Sequence, residues 1–161
     1  LSTVRRRAED TMTDKPAFVY VIYIESTPQR VWDALTDADL SAAYWGHSNV
    51  SDWQAGSGWE HRRTDGSGIA DVVGSVLESS PPTRLVTTWA DPGQTAAEPS
   101  RVTFAIEPYG DIVRLTVTHE DLAEEDLVDA ASGWAAVLSN LKSLLETGHP
   151  LPQPPWEMPE G

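Results

Sequence analysis

The chain has no cysteine. That absence excludes a disulfide framework, a thiolate metal centre and a cysteine nucleophile, and it fits a reducing compartment. Basic residues are scarce: 11 Lys and Arg stand against 25 Asp and Glu, a formal net charge of -14. A phosphate backbone needs a clustered basic face, and an anionic membrane surface needs a polybasic segment. Neither nucleic acid nor a membrane is therefore an expected partner. No apolar run approaches the roughly 18–20 residues that span a bilayer. The four histidines, His47, His61, His119 and His149, include no pair at the i, i+4 spacing of a helical metal site, so neither a metal nor another cofactor is expected. A G-x-S-x-G elbow and a phosphate-binding glycine loop are also missing.

Tryptophan is what the chain has in abundance, seven residues against two phenylalanines. A length of 161 residues suits one domain with one core, here a soluble, acidic and, by expectation, cytoplasmic protein. Residues 1–15 read as an unstructured leader: the run Arg5-Arg6-Arg7 is followed by no apolar segment of the kind a secretory signal needs. Either Met12 stands near the natural start or Leu1 reflects a non-standard start codon. At the other end, prolines 150, 152, 154, 155 and 159 predict an extended tail over 148–161, with Trp156 expected to be loose rather than docked.

Between these ends lies one domain, 16–147. Its first element, 17–25, is β-branched and aromatic throughout, hence a strand. Thr27 and Pro28 then start a short helix, as a capping residue and a first-position proline do. Asp37 caps a second short helix, which runs through Tyr44 and stops at Gly46. Five strand signals follow, at about 58–64, 69–79, 84–90, 100–107 and 111–119, separated by turn formers such as Asp65-Gly66-Ser67-Gly68 and Tyr109-Gly110-Asp111. Such short connections predict an antiparallel meander. Alternation in Val102-Phe104-Ile106 and in Val113-Leu115-Val117-His119 predicts one dry face. The last element is a helix over 124–146, in which Leu127, Ala131, Trp134, Leu138, Leu141 and Leu145 make a single apolar stripe. The acidic residues of 120–129 read as its solvated start, since acid complements a helix N-terminus.

These elements predict an α+β layer: a curled antiparallel sheet with one long helix on its concave face. A cylinder about 10 Å across does not fill that concavity, so the remaining space is either packed by side chains or left as a cavity. Tyr44, Trp45, Trp59, Trp89, His119 and Trp134 are the candidates to line it; each alone is equally consistent with plain core packing. His61 alternates with Trp59, which places it at the cavity mouth or on a solvated strand position. His119 continues an inward-facing alternation and is either a ligand-contacting group or base or a core histidine bonded to a backbone carbonyl.

Several motifs, taken in order, resemble the activator-of-Hsp90-ATPase-like family of the START-like superfamily. They are Arg30-Val31-Trp32-Asp33-Ala34-Leu35-Thr36-Asp37, Tyr44-Trp45-Gly46, Gly74-Ser75-Val76-Leu77-Glu78 with Pro81-Pro82-Thr83-Arg84-Leu85-Val86-Thr87-Thr88-Trp89, Ser100-Arg101-Val102-Thr103-Phe104, Arg114-Leu115-Thr116-Val117-Thr118-His119 and Gly133-Trp134. The resemblance spans about 17–147 and implies a helix-grip fold (START/Bet v 1-like), in which a curved sheet wraps a long C-terminal helix and two short helices follow the first strand. Thr87 stands where the family often carries an aromatic residue, which implies a wider cavity and adds Thr87 to the candidate ligand contacts.

Three functions remain open, in this order. The first is a module that binds a small apolar or aromatic molecule through Tyr44, Trp45, Trp59, His61, Thr87, Trp89, His119 and Trp134. The second is a cyclase-, aromatase- or hydrolase-like enzyme using the same cavity, with no catalytic residue assigned. The third is a module acting on a chaperone partner, which needs an exposed apolar patch that the sequence does not show outside the tail. A monomer or weak homodimer is expected.

Overall fold

A computed structural model describes residues 17–93 and 99–159; the predicted leader lies outside them. Seven strands form one antiparallel sheet in the order β1-β7-β6-β5-β4-β3-β2. They are β1 (Phe18–Glu25), β2 (His47–Val50), β3 (Gly58–Arg63), β4 (Ala70–Ser80), β5 (Arg84–Trp89), β6 (Ser100–Tyr109) and β7 (Ile112–Glu120). The helices are α1 (Pro28–Thr36), α2 (Ala38–Trp45) and α3 (Leu127–Thr147). Strands β2 to β7 are a meander; β1 closes the far edge against β7, pairing Phe18 with His119 and Ile24 with Val113. Register shifts at His61/Arg62 and Val76/Glu78 mark irregularities of the bulge kind, which raise local twist and curl. The product is a half-barrel gripping α3.

Local chemistry explains the two short helices. The Thr27 side chain accepts from the Arg30 N–H at 3.2 Å, and Asp37 accepts from the N–H groups of Asp39 and Leu40. Gly46 ends α2 in the left-handed region, φ 75°, where glycine has no steric penalty. Strand β2 is not anticipated by the sequence. It is four residues long, His-Ser-Asn-Val, too short to show a period, and it exists because β3 offers a pairing edge.

The α3 stripe differs at its start. Glu124–Asp126 is a single 3-10 turn, and the α-helix begins at Leu127. Leu127 and Ala131 are only half-buried, whereas Val137 and Asn140 join Trp134, Leu138, Leu141 and Leu145 in the core. In these first turns Asp129, Ala130 and Gly133 line an open cavity. Asn140 is a staple: its Nδ2 donates to the Tyr44 carbonyl at 2.9 Å and its Oδ1 accepts from the Leu151 N–H at 2.7 Å. The second of these bonds lays the C-terminal segment back on the body. Trp156, expected loose, sits in a 3-10 turn at Pro155–Glu157, and its ring lies 3.2 Å from where a Cβ on Gly46 would be.

Apolar surface is exposed outside the tail, contrary to the expectation from the sequence. On the outer face of edge strand β1, Val19, Val21 and Tyr23 are roughly half exposed. Their alternation with the inward Phe18, Tyr20, Ile22 and Ile24 is masked in the sequence, because both faces of β1 carry apolar residues.

Candidate functional site

The end of α2, the inward faces of β3 and β5 and the N-terminal half of α3 bring four indoles together, Trp45, Trp59, Trp89 and Trp134, and β7 adds His119 beside them. Ring centroids are 5.2 Å apart for Trp59–Trp89, 5.4 Å for Trp89–Trp134, 5.5 Å for Trp45–Trp134 and 6.1 Å for Trp45–Trp89. Two spaces adjoin this cluster. The outer cavity, about 200 Å³, is lined by Trp45, Trp89, His119, Asp129, Ala130, Gly133, Trp134 and Val137. The inner chamber, about 10 Å³, lies among Leu35, Trp45, Asn49, Trp53, Trp59, Leu85, Thr87, Trp89 and Phe104. Trp45 and Trp89 belong to both linings and form the wall between them.

His119 is buried, and its hydrogen bonds fix its proton. The Trp134 indole N–H donates to His119 Nδ1 at 3.1 Å, so Nδ1 is the bare nitrogen. Nε2 then carries the proton and donates to Ser100 Oγ at 2.9 Å, and that hydroxyl donates to the Trp89 carbonyl at 2.9 Å. The partners are thus a hydroxyl and an indole, not the backbone carbonyl that plain core packing predicts. Burial pushes the His119 pKa down to about 4, because the charged form loses its hydration. With its lone pair held by Trp134, His119 is a poor base in this arrangement.

His61 is buried behind the cluster rather than at its mouth, edge-on to Trp45 at 4.8 Å. The side-chain amide of Asn49 donates to the Leu35 carbonyl, so its Oδ1 accepts the His61 Nδ1 proton at 2.7 Å. Burial, then the neighbouring His47, push the His61 pKa down to about 3. The His47 ring stacks on His61 at 4.3 Å, and its Nε2 contacts Asp71 at 2.8 Å. Asp71 also receives the Arg63 guanidinium, whose hydrogen bonds, with a further contribution from His47, hold its carboxyl well below the usual range. Tyr44 is fully buried, its hydroxyl donates to the Ala34 carbonyl at 3.0 Å, and burial raises its pKa. Neither Tyr44 nor His61 lines the two cavities; both back the indoles that do.

Trp59 is pinned through its N–H to the Thr88 carbonyl at 2.8 Å. This contact requires Gly74: a Cβ there would lie 2.1 Å from the Thr88 oxygen and 2.5 Å from Trp59 Nε1. Gly74→Ala is therefore expected to destabilise the fold by at least the upper part of the overpacking range, about 1–3 kcal/mol. Urea denaturation reads this directly, and an unchanged midpoint would refute the close approach.

Sequence reasoning missed as wall residues the polar Asn49 and Asp129, the indole of Trp53, Gly133 and the apolar Leu35, Leu85, Phe104, Ala130 and Val137. Gly133 alone carried a signal: glycine inside a helix costs roughly 1 kcal/mol relative to alanine, so its presence in α3 asks for a reason. A Cβ there would meet nothing within 4 Å, so glycine keeps the cavity wall open. The acidic residues Glu124, Glu125, Asp126 and Asp129 are exposed, as expected of a helix start. Among the described residues no group of three or more histidine and carboxylate side chains is arranged to hold a metal ion, and no helix is long and apolar enough to cross a membrane.

Residues 25–146 match the family model described as activator of Hsp90 ATPase homolog 1-like protein. No curated protein matches the chain. Solved structures of the same fold include CalU16 from Micromonospora echinospora, 24% identical over 84% of this chain and 77% of that one, with a TM-score of 0.68. The Aha1 dimer from Colwellia psychrerythraea is 22% identical over 83% and 98%, with a TM-score of 0.70. An Hsp90 activator from Plasmodium falciparum is 18% identical over 84% and 99%, with a TM-score of 0.66. At these identities the structures bear on the fold alone.

Proposed function

The chain belongs to the activator of Hsp90 ATPase homolog 1-like family, and from that premise we propose that it is a binding protein for a small apolar or aromatic molecule held in the outer cavity. The observation that carries this is the cavity wall: three indoles face a space that a helical glycine leaves unfilled. Pockets of this kind are mostly apolar with a few placed polar groups. At about 200 Å³ the space is below the roughly 300–1,000 Å³ of a drug-sized site, so the ligand class is one or two fused rings. Binding is favoured over catalysis because both ring nitrogens of His119 are already committed, and Asp129, the other titratable wall residue, is exposed.

Gly133 supplies the test. Gly133→Leu adds a side chain at the cavity wall, starting from a Cβ that meets nothing within 4 Å, and replaces a poor helix former by a good one, so stability is expected to rise by up to about 1 kcal/mol. Titration with 2-naphthol, followed by tryptophan emission, should show binding to the wild-type chain and at least a tenfold loss in this variant. Equal binding by both chains, or none by the wild type, removes this reading.

A second reading, a module acting on a protein partner of the chaperone class, is favoured by the exposed Val19, Val21 and Tyr23 of β1. Apolar stripes on an edge strand invite association, and solved proteins of this fold include an Hsp90 activator and a dimer. It becomes the better account if the cavity takes no ring compound.

A further inference from the structure

One polar group in the cavity region has no use in the arrangement just described. Thr87 Oγ1 is buried and has no hydrogen-bond partner; the residue is 2% exposed and faces the inner chamber. Buried hydroxyls are ordinarily paired, because an unpaired one forfeits its hydration. The chamber around it is lined mainly by apolar and aromatic side chains. Asn49 is its other polar wall residue, and both ends of that amide are engaged by Leu35 and His61. The space of about 10 Å³ is near the lower limit for one water-sized group, which is the size of a single hydroxyl.

The wall between chamber and outer cavity is made of two indoles that ring packing alone holds, Trp89 against Trp45, Trp59, His61, His119 and Trp134. Trp59 and Trp134 are anchored through their N–H groups to Thr88 and His119. Among the described residues no side-chain hydrogen bond anchors Trp45 or Trp89; both are held by ring contacts. Trp89 and Thr87 are successive inward positions of β5, so Thr87 lies one same-face step, roughly 7 Å, deeper than Trp89. That step is about the length of one substituted six-membered ring.

We infer that Thr87 is the polar anchor of the site, reached past the edge of Trp89, and that the site therefore selects a flat ring compound carrying one small hydrogen-bonding substituent, of the phenol class. The ring lies against Trp134 and Trp45 in the outer cavity, and its hydroxyl passes the Trp89 edge to pair with Thr87 Oγ1. This rests on the small-molecule reading and adds to it the chemistry of the ligand's deep end.

The test uses the full chain and a matched pair of probes, 2-naphthol and 2-methylnaphthalene, which differ by hydroxyl against methyl. Affinities are read from indole N–H signals by NMR. The wild-type chain should prefer 2-naphthol by about tenfold, the effect of one buried hydrogen bond, with the Trp89 signal moving. Thr87→Val, nearly isosteric, should bring the preference below twofold while leaving 2-methylnaphthalene affinity unchanged. Thr87→Ser, which keeps the hydroxyl, should restore it. Equal affinity of the wild-type chain for both probes overturns the anchor but leaves the cavity reading standing. A preference that survives in Thr87→Val places the hydroxyl elsewhere and also overturns it. Binding of neither probe removes the cavity reading and this inference with it.

Discussion

Leu138→Ala is expected to lower the unfolding free energy by about 2–5 kcal/mol, the range for deleting a fully buried leucine side chain. Leu138 is 1% exposed and belongs to one continuous cluster with Val31, Leu35, Phe104, Leu115 and Leu141. That cluster joins α3, α1 and the inward faces of β6 and β7, so no one element can close the hole the substitution leaves. The value should fall in the upper half of the range, because the C-terminal half of the helix is fixed beside Leu138. Asn140 ties it to Tyr44 and Leu151, Lys142 donates to the Tyr23 carbonyl, and Glu146 accepts from the Glu25 N–H. Chemical denaturation followed by far-ultraviolet circular dichroism gives the number. A midpoint within error of wild type would mean that α3 is not the centre of the core.

Acid should destabilise the protein through two histidines, and the sign follows from their neutral burial. His61 and His119 have folded pKa values of about 3 and about 4, against roughly 6.5 in an unfolded chain. Above pH about 6.5 both states are neutral and neither histidine affects stability. As pH falls from there toward 4, the unfolded chain takes up two protons that the folded chain refuses. Each histidine then removes about 1.4 kcal/mol per pH unit from the unfolding free energy. Neutralisation of the excess carboxylates acts in the opposite direction by relieving repulsion, so the clean measurement is a difference between two chains sharing that charge. His119→Gln keeps a donor and an acceptor for Ser100 and Trp134 but does not titrate. Its stability should fall with a slope shallower by about 1.4 kcal/mol per unit between pH 6 and 4.5. Parallel slopes for variant and wild type would show that His119 is protonated in the folded state.

The sequence was a good guide wherever a single element announces itself. The β1 run, the Thr27-Pro28 and Asp37 helix starts, the Gly46 stop and the inward alternation of Val113, Leu115, Val117 and His119 are all encoded within ten residues of chain. Each depends on backbone preference or on one face meeting one layer. The same local logic brought six aromatic and histidine positions to the concave side as a group. It did not say which of them face a space. Tyr44 and Trp45 are neighbours, yet one is sealed against Ala34 and the other forms a cavity wall.

What the sequence by itself determined, then, is the order of the elements other than β2, most of their buried faces and the acidic, cysteine-free composition that excludes a thiolate site. Only the tertiary structure decided the existence of β2, the burial of His61 on Asn49, the return of the C-terminal segment to Asn140 and the solvent-facing stripe of Val19, Val21 and Tyr23. It also decided the cavity, and with it the unpaired hydroxyl of Thr87. The physical reason is that periodicity reports which way a side chain points relative to its own backbone, whereas empty volume is a difference between surfaces far apart in sequence. How far the sheet curls at His61/Arg62 and Val76/Glu78, and how far the first turns of α3 overhang it, set the distance between Trp89 and Trp134; no run of neighbouring residues carries that distance.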